Sequence, residues 1–94
     1  MILKFDEYLL PLIDEWIKTS TIRKNTDFKK GDRFTIPGLD GTFVITAVNR
    51  IRFDEIDKSV AKAEGYLHEN LLKRELKRYY PNTTSSDLLY QIKF

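Results

Sequence analysis

The sequence predicts a small α+β domain: a curled, mostly antiparallel β-barrel-like sheet with two to three helices packed at its ends. Three observations carry this prediction. The chain has 94 residues, enough for one domain (1–94) and not two. Apolar residues are 41% and charged residues 32% of it, a balance that builds a thin core rather than a disordered coil. The local periodicities run strand, helix, strand, hairpin, short helix, helix, strand, without regular parallel βαβ units. A closed or nearly closed barrel would remove the exposed strand edges.

Met1–Phe5 is short and apolar and reads as an edge strand. From Asp6 to Ile17 the apolar residues fall at Leu9, Leu12, Ile13, Trp16 and Ile17, which is helical spacing. Pro11 fits if the helix starts near Leu9 or Leu10, because a missing N–H costs little in the first turn. The β-branched run that follows predicts a strand at Ser20–Arg23. Period two puts Thr19, Thr21 and Arg23 on one face, and Ser20, Ile22 and Lys24 on the other. Arg33–Ile36 and Thr42–Phe53 form a hairpin around the turn residues Pro37–Gly41, the second arm long enough to bend. Asp57–Glu64 predicts a short helix with Val60 and Ala63 inward and Gly65 as its stop. Glu69–Tyr80 predicts a stronger helix with Leu72 and Leu76 inward, ended by Pro81. Leu88–Phe94 alternates as a last strand. The expected core is Ile22, Phe34, Val44, Ile45, Val48, Leu72, Leu76 and Ile92.

Composition narrows the chemistry. There is no Cys, which excludes disulfides, thiolate metal sites and Cys nucleophiles. The single histidine, His68, leaves no material for a His-rich metal site, and it reads as a surface residue at a helix start. No metal and no cofactor are expected. The net charge of +2 is mild for a protein that binds nucleic acid through bulk electrostatics. No window is apolar enough to span a membrane, and Lys4, Asp6 and Glu7 break any signal-peptide pattern, so a cytoplasmic protein is expected, monomeric by default. Asn82-Thr83-Thr84 then reads as an ordinary loop.

Several motifs occur in order along nearly the whole chain. They are Lys18-Thr19-Ser20-Thr21-Ile22-Arg23 after the first helix, then Phe28-Lys29-Lys30-Gly31-Asp32, then Phe53-Asp54-Glu55-Ile56. Ala61-Lys62-Ala63-Glu64-Gly65-Tyr66, Tyr80-Pro81 and Tyr90-Gln91-Ile92-Lys93-Phe94 complete the series. This succession resembles the ASCH domains, which implies a PUA-like β-barrel. Within that family the chain is most similar to the small bacterial N4-acetylcytidine amidohydrolases. The resemblance implies catalytic roles for Lys18, Thr21 and Glu64, and it also matches Arg23 as a substrate-binding residue. Where the family often has Gly shortly before the Lys, this chain has Trp16 and Ile17, which alters the cleft mouth.

Those residues suit amide hydrolysis, which needs a nucleophile, a base, an acid for the leaving nitrogen and support for the oxyanion. Thr21 carries the hydroxyl, and Lys18 serves as base only as a free amine, which burial and the like charge of Arg23 favour. Glu64 contacts the exocyclic nitrogen or carries a proton to it, and Arg23 holds the oxyanion or the ring carbonyl. The implied partner is a modified pyrimidine nucleoside or RNA. The alternative is a non-catalytic RNA-binding PUA-like module. Its candidate phosphate contacts are Lys29, Lys30 and Arg33, with Lys73 and Lys77 on the last helix. Tyr66, Tyr79 and Tyr80 are candidates to stack a base, although aromatic residues at helix ends more often belong to the core. Taken singly each residue has a plainer reading. Lys18 would complement a helix C-terminus, Arg23 and Glu64 would form a surface ion pair, and Lys73 and Lys77 would be a solvated face.

Overall fold

A computed structural model describes residues 1–94. A 3₁₀ turn at Glu7–Leu9 runs into α1 (Leu10–Asp14), with Pro11 in its first turn as its missing N–H requires. The helix stops short of the expected Ile17. The N–H groups of Ile17 and Lys18 both turn back to the carbonyl of Leu12, and Trp16 takes a positive φ of 60°. That reversal leaves Trp16 and Ile17 in solvent and turns Lys18 inward.

The strands are β1 (Ser20–Arg23), β2 (Arg33–Phe34), β3 (Phe43–Val44), β4 (Ala47–Arg52) and β5 (Leu88–Lys93). They form two antiparallel sheets, one three-stranded and ordered β1-β5-β4, the other a two-stranded ribbon of β2 and β3. The two sheets do not join into one closed barrel. The expected second arm of the hairpin bends as anticipated, breaking at Ile45 and Thr46 between β3 and β4. Met1–Phe5 contributes only one parallel bridge, Ile2 to Thr35, rather than a strand.

Between β4 and β5 lie a 3₁₀ turn at Phe53–Glu55 and two helices, α2 (Lys58–Ala63) and α3 (Glu69–Tyr79). Asp57 caps α2 by accepting the N–H of Val60, and Gly65 (φ 90°) supplies the left-handed residue that ends it.

The period-two pattern of the sheet sorts the core into two clusters. Ile22 and Leu89 join Phe53, Ile56, Ala61, Leu72 and Leu76 under the helices. Ile92 faces the other way and packs with Leu3, Ile13, Phe34, Ile36 and Ile45 beneath the ribbon. Phe34 anchors that side, with the rings of Phe28, Phe43 and Phe94 at 5.5–5.7 Å. Most expected core residues are buried. Val44 is the exception at 44% exposed, because a two-residue ribbon strand has only one covered face; Val48 is half-buried. On α2 the fully buried position is Ala61, and Val60 and Ala63 only flank it. No helix is long and apolar enough to cross a membrane.

Candidate functional site

The strand β1 lies at the edge of its sheet, paired only with β5. Its free edge and the C-terminal end of α2 enclose a cavity of about 380 Å³, roofed by residues 4–9 and walled by α3. Lys18, Thr21, Arg23 and Glu64 all line it. The two faces of β1 contribute differently. Glu64 lies on the side of Ser20 and Ile22, under the helices, whereas Thr21 and Arg23 sit on the opposite face. The cavity wraps round the open edge and brings the two groups together.

Lys18 and Glu64 form a buried pair, their side chains 5% and 2% exposed. The Lys18 amine donates to the Glu64 backbone carbonyl at 3.1 Å and to its Oε1 at 3.4 Å. The other carboxylate oxygen, Oε2, accepts the hydroxyl of Ser20. Gln91 Nε2 in turn donates to Ser20 Oγ at 3.3 Å. Every buried polar side-chain atom has a partner, so the network is complete and its members hold one another in place.

Burial dominates the titration of both members. It pushes the Lys18 amine below its ordinary range, assisted by Arg23 and opposed by Glu64. It pushes the Glu64 carboxyl up, opposed by Lys18, Ser20 and Ile22. Both changes favour the uncharged forms, a free amine and a carboxylic acid.

Thr21 is 5% exposed, and its Oγ1 accepts Arg23 Nε at 3.0 Å. Arg23 is fixed further by donating to the Lys4 carbonyl at 2.9 Å and by lying over the Phe5 ring at 5.2 Å. No hydrogen bond joins Lys18 Nζ to Thr21 Oγ1; the amine's side-chain and backbone partners both belong to residue 64.

Tyr66, Tyr79 and Tyr80 all line the cavity; Tyr66 also packs against the core cluster under the helices, whereas Tyr79 is 44% exposed. A polar clasp closes the roof. Tyr8 donates to Glu75 at 2.7 Å, Tyr79 donates to Asp6, and Arg78 reaches both Asp6 and Glu75. Lys29, Lys30, Arg33, Lys73 and Lys77 lie outside the cavity. Lys73 and Lys77 extend instead over the ring of Phe53, at 5.8 and 5.5 Å. His68 is exposed and stands at the N-cap of α3, as expected of a surface residue.

Sequence reasoning missed Ser20 and Gln91. A small hydroxyl in a β-branched run looks like strand propensity alone. The available signal was positional: Ser20 and Gln91 share the inward face with Ile22 and Leu89, where a polar side chain needs a buried partner.

No family model and no curated protein matches this sequence. Among solved structures, the crystal structure of protein EF3133 from Enterococcus faecalis V583, described as a DUF984 protein, superposes with a TM-score of 0.74 at 22% identity. The match covers 93% of this chain and 65% of that one, so this chain spans just under two thirds of its neighbour's length. The likeness shows that the two share a small α+β fold.

Proposed function

We propose that the protein is an ASCH-type, PUA-like amidohydrolase that removes the acyl group from an N4-acylated cytidine or a related nucleoside amide. The observation that carries this is the buried Lys18–Glu64 pair at the wall of a cavity that also holds Thr21 and Arg23. A buried ion pair is seldom kept for stability, since apolar residues in its place serve as well or better. Perturbed titratable groups in a cleft are a mark of chemistry.

The chemistry follows from the pair. Transfer of one proton from the Lys18 ammonium to Glu64 creates a free amine and a carboxylic acid with no change of net charge. The amine takes the Thr21 proton as Thr21 Oγ1 bonds to the acyl carbon. Arg23, already 3.0 Å from that oxygen, supports the charge that develops on the acyl oxygen. The carbon–nitrogen bond breaks as Glu64 gives its proton to N4, releasing cytidine and leaving acyl-Thr21, an ammonium and a carboxylate. Water completes the cycle: Glu64 takes its proton, hydroxide bonds to the acyl carbon, and Thr21 leaves with a proton from Lys18. The volume suits a nucleoside rather than a polymer. Phe5 and Tyr66 supply apolar surface for the base.

The test is to incubate the purified protein with N4-acetylcytidine and follow cytidine by chromatography. Release that disappears in Thr21→Ala supports the reading. No release from acylated nucleosides, together with tight, salt-sensitive RNA binding weakened by changing Lys29, Lys30 and Arg33, would replace it with the RNA-binding module.

A further inference from the structure

The Ser20–Gln91 pair lies behind Glu64, away from the cavity, and has no part in the steps above. Ser20 is fully buried and Gln91 is 5% exposed. A serine hydroxyl has one hydrogen to donate. Gln91 Nε2 donates to Ser20 Oγ at 3.3 Å, so that oxygen is already an acceptor and its hydrogen is directed elsewhere. The acceptor within reach is Glu64 Oε2. Oε1 is left facing the Lys18 amine. The arrangement crosses the sheet diagonally, because Gln91 pairs with Ile22 and lies beside Ser20 on the same face.

We infer that Ser20, oriented by Gln91, is a positioning residue that keeps Oε2 of Glu64 occupied and so makes Oε1 the oxygen that exchanges a proton with Lys18. This rests on the reading of Lys18 and Glu64 as the working pair. The bond balance is simple: one Nζ–H bond breaks, one Oε1–H bond forms, and the Ser20 O–H stays intact. Ser20 also favours the charged carboxylate, because it donates to it. Lys18, and the N–H of Ile22, act in the same sense on Glu64. Arg23 shares the cavity and opposes the charge on Lys18. Further out, Lys4, Asp6 and Glu75 line the roof and α3, where Tyr79 and Arg78 hold Asp6, and Tyr8 and Arg78 hold Glu75.

The experiment is a carbon-13 NMR titration of the Glu64 carboxyl in the intact protein without substrate, its signal assigned by loss in Glu64→Gln. Ser20→Ala should move the Glu64 midpoint up by about one pH unit, the effect of losing one hydrogen bond to a carboxylate. Gln91→Leu leaves the hydroxyl but frees its direction, and should move the midpoint the same way by less. It carries the same readout if Ser20→Ala does not fold. An unmoved midpoint in the folded variants overturns the inference. The pH profile of N4-acetylcytidine hydrolysis gives a second reading. Both limbs should shift toward higher pH, whereas a profile that only falls in height would mark Ser20 as structural and overturn the inference. A moved midpoint in a protein that hydrolyses nothing would support the Ser20 role and remove the hydrolase.

Discussion

Replacing Glu64 with Gln keeps the size of the side chain and an oxygen to accept the Ser20 hydroxyl, and it removes the negative charge paired with Lys18. The amine is then 5% exposed beside a neutral amide, with the backbone carbonyl of residue 64 still 3.1 Å away. Breaking a buried pair by removing one partner costs about 3–5 kcal/mol. The variant can limit that cost by folding with Lys18 neutral. Neutralising a lysine of ordinary pKa costs about 1.4 kcal/mol for each pH unit below roughly 10.4, so about 4–5 kcal/mol at pH 7 and about 2 kcal/mol at pH 9. The sign follows from proton counting. The unfolded variant holds the Lys18 proton and the folded variant does not, so its stability rises with pH and levels off once the unfolded lysine also titrates. In the wild type, folded and unfolded states each hold one proton on the pair near neutrality, so the pair adds little slope there. Urea unfolding followed by circular dichroism between pH 7 and 9 should therefore show a gap between variant and wild type that narrows by about 1.4 kcal/mol per pH unit. A gap under about 1 kcal/mol at pH 7, or one that stays constant with pH, would refute the idea that the buried pair shares a single proton at neutral pH.

Three further outcomes are expected. Leu76→Ala empties a site only 4% exposed under α3 and should cost about 2–5 kcal/mol, read from the urea midpoint. Lys18→Arg should be as inactive toward N4-acetylcytidine as Thr21→Ala, since a guanidinium holds its proton near neutral pH, and the double variant should lose no more than either single one; full activity in Lys18→Arg would discard the base assignment. Gly65→Ala puts a side chain at φ 90°, with the new carbon 3.3 Å from Lys18 Cβ, so it should lower stability by about 1–2 kcal/mol and reduce turnover by displacing Lys18.

The parts of the molecule legible in its sequence are those fixed by local chemistry. Pro11 marked the start of α1, Gly65 the end of α2, and the β-branched run the limits of β1. The face shared by Thr21 and Arg23 followed from period two and is sealed by their hydrogen bond. The misreadings come from what period cannot see. Trp16 and Ile17 continue the apolar spacing of α1, yet the backbone reverses there and leaves both in water. Val44 alternates correctly but stands on a ribbon too short to be covered on both sides. Tyr79 and Tyr80, at the end of α3, looked like core and instead line the cavity, where polar contacts join α3 to the roof segment 4–9. Ser20 and Gln91 could be joined only once β1 and β5 were known to be neighbours.

That neighbourhood governs how the chain reaches its final shape. The central strand of the sheet is β5, the last to appear along the chain, and β1 and β4 touch no other strand of the sheet. Pairing β4 with β5 closes a loop of moderate length, but pairing β1 with β5 joins residues about seventy positions apart and pays a larger entropy of closure before any ladder bond is gained. Contacts this distant slow folding for a chain of this size. The helices and the β4–β5 pair can therefore assemble first, with β1 docking afterwards. Lys18 and Ser20 arrive with β1 and meet Glu64 and Gln91 only in that step. Until then Glu64 is an ordinary solvated carboxylate, so the rate at which its titration becomes abnormal after dilution from denaturant would time the docking of a single strand.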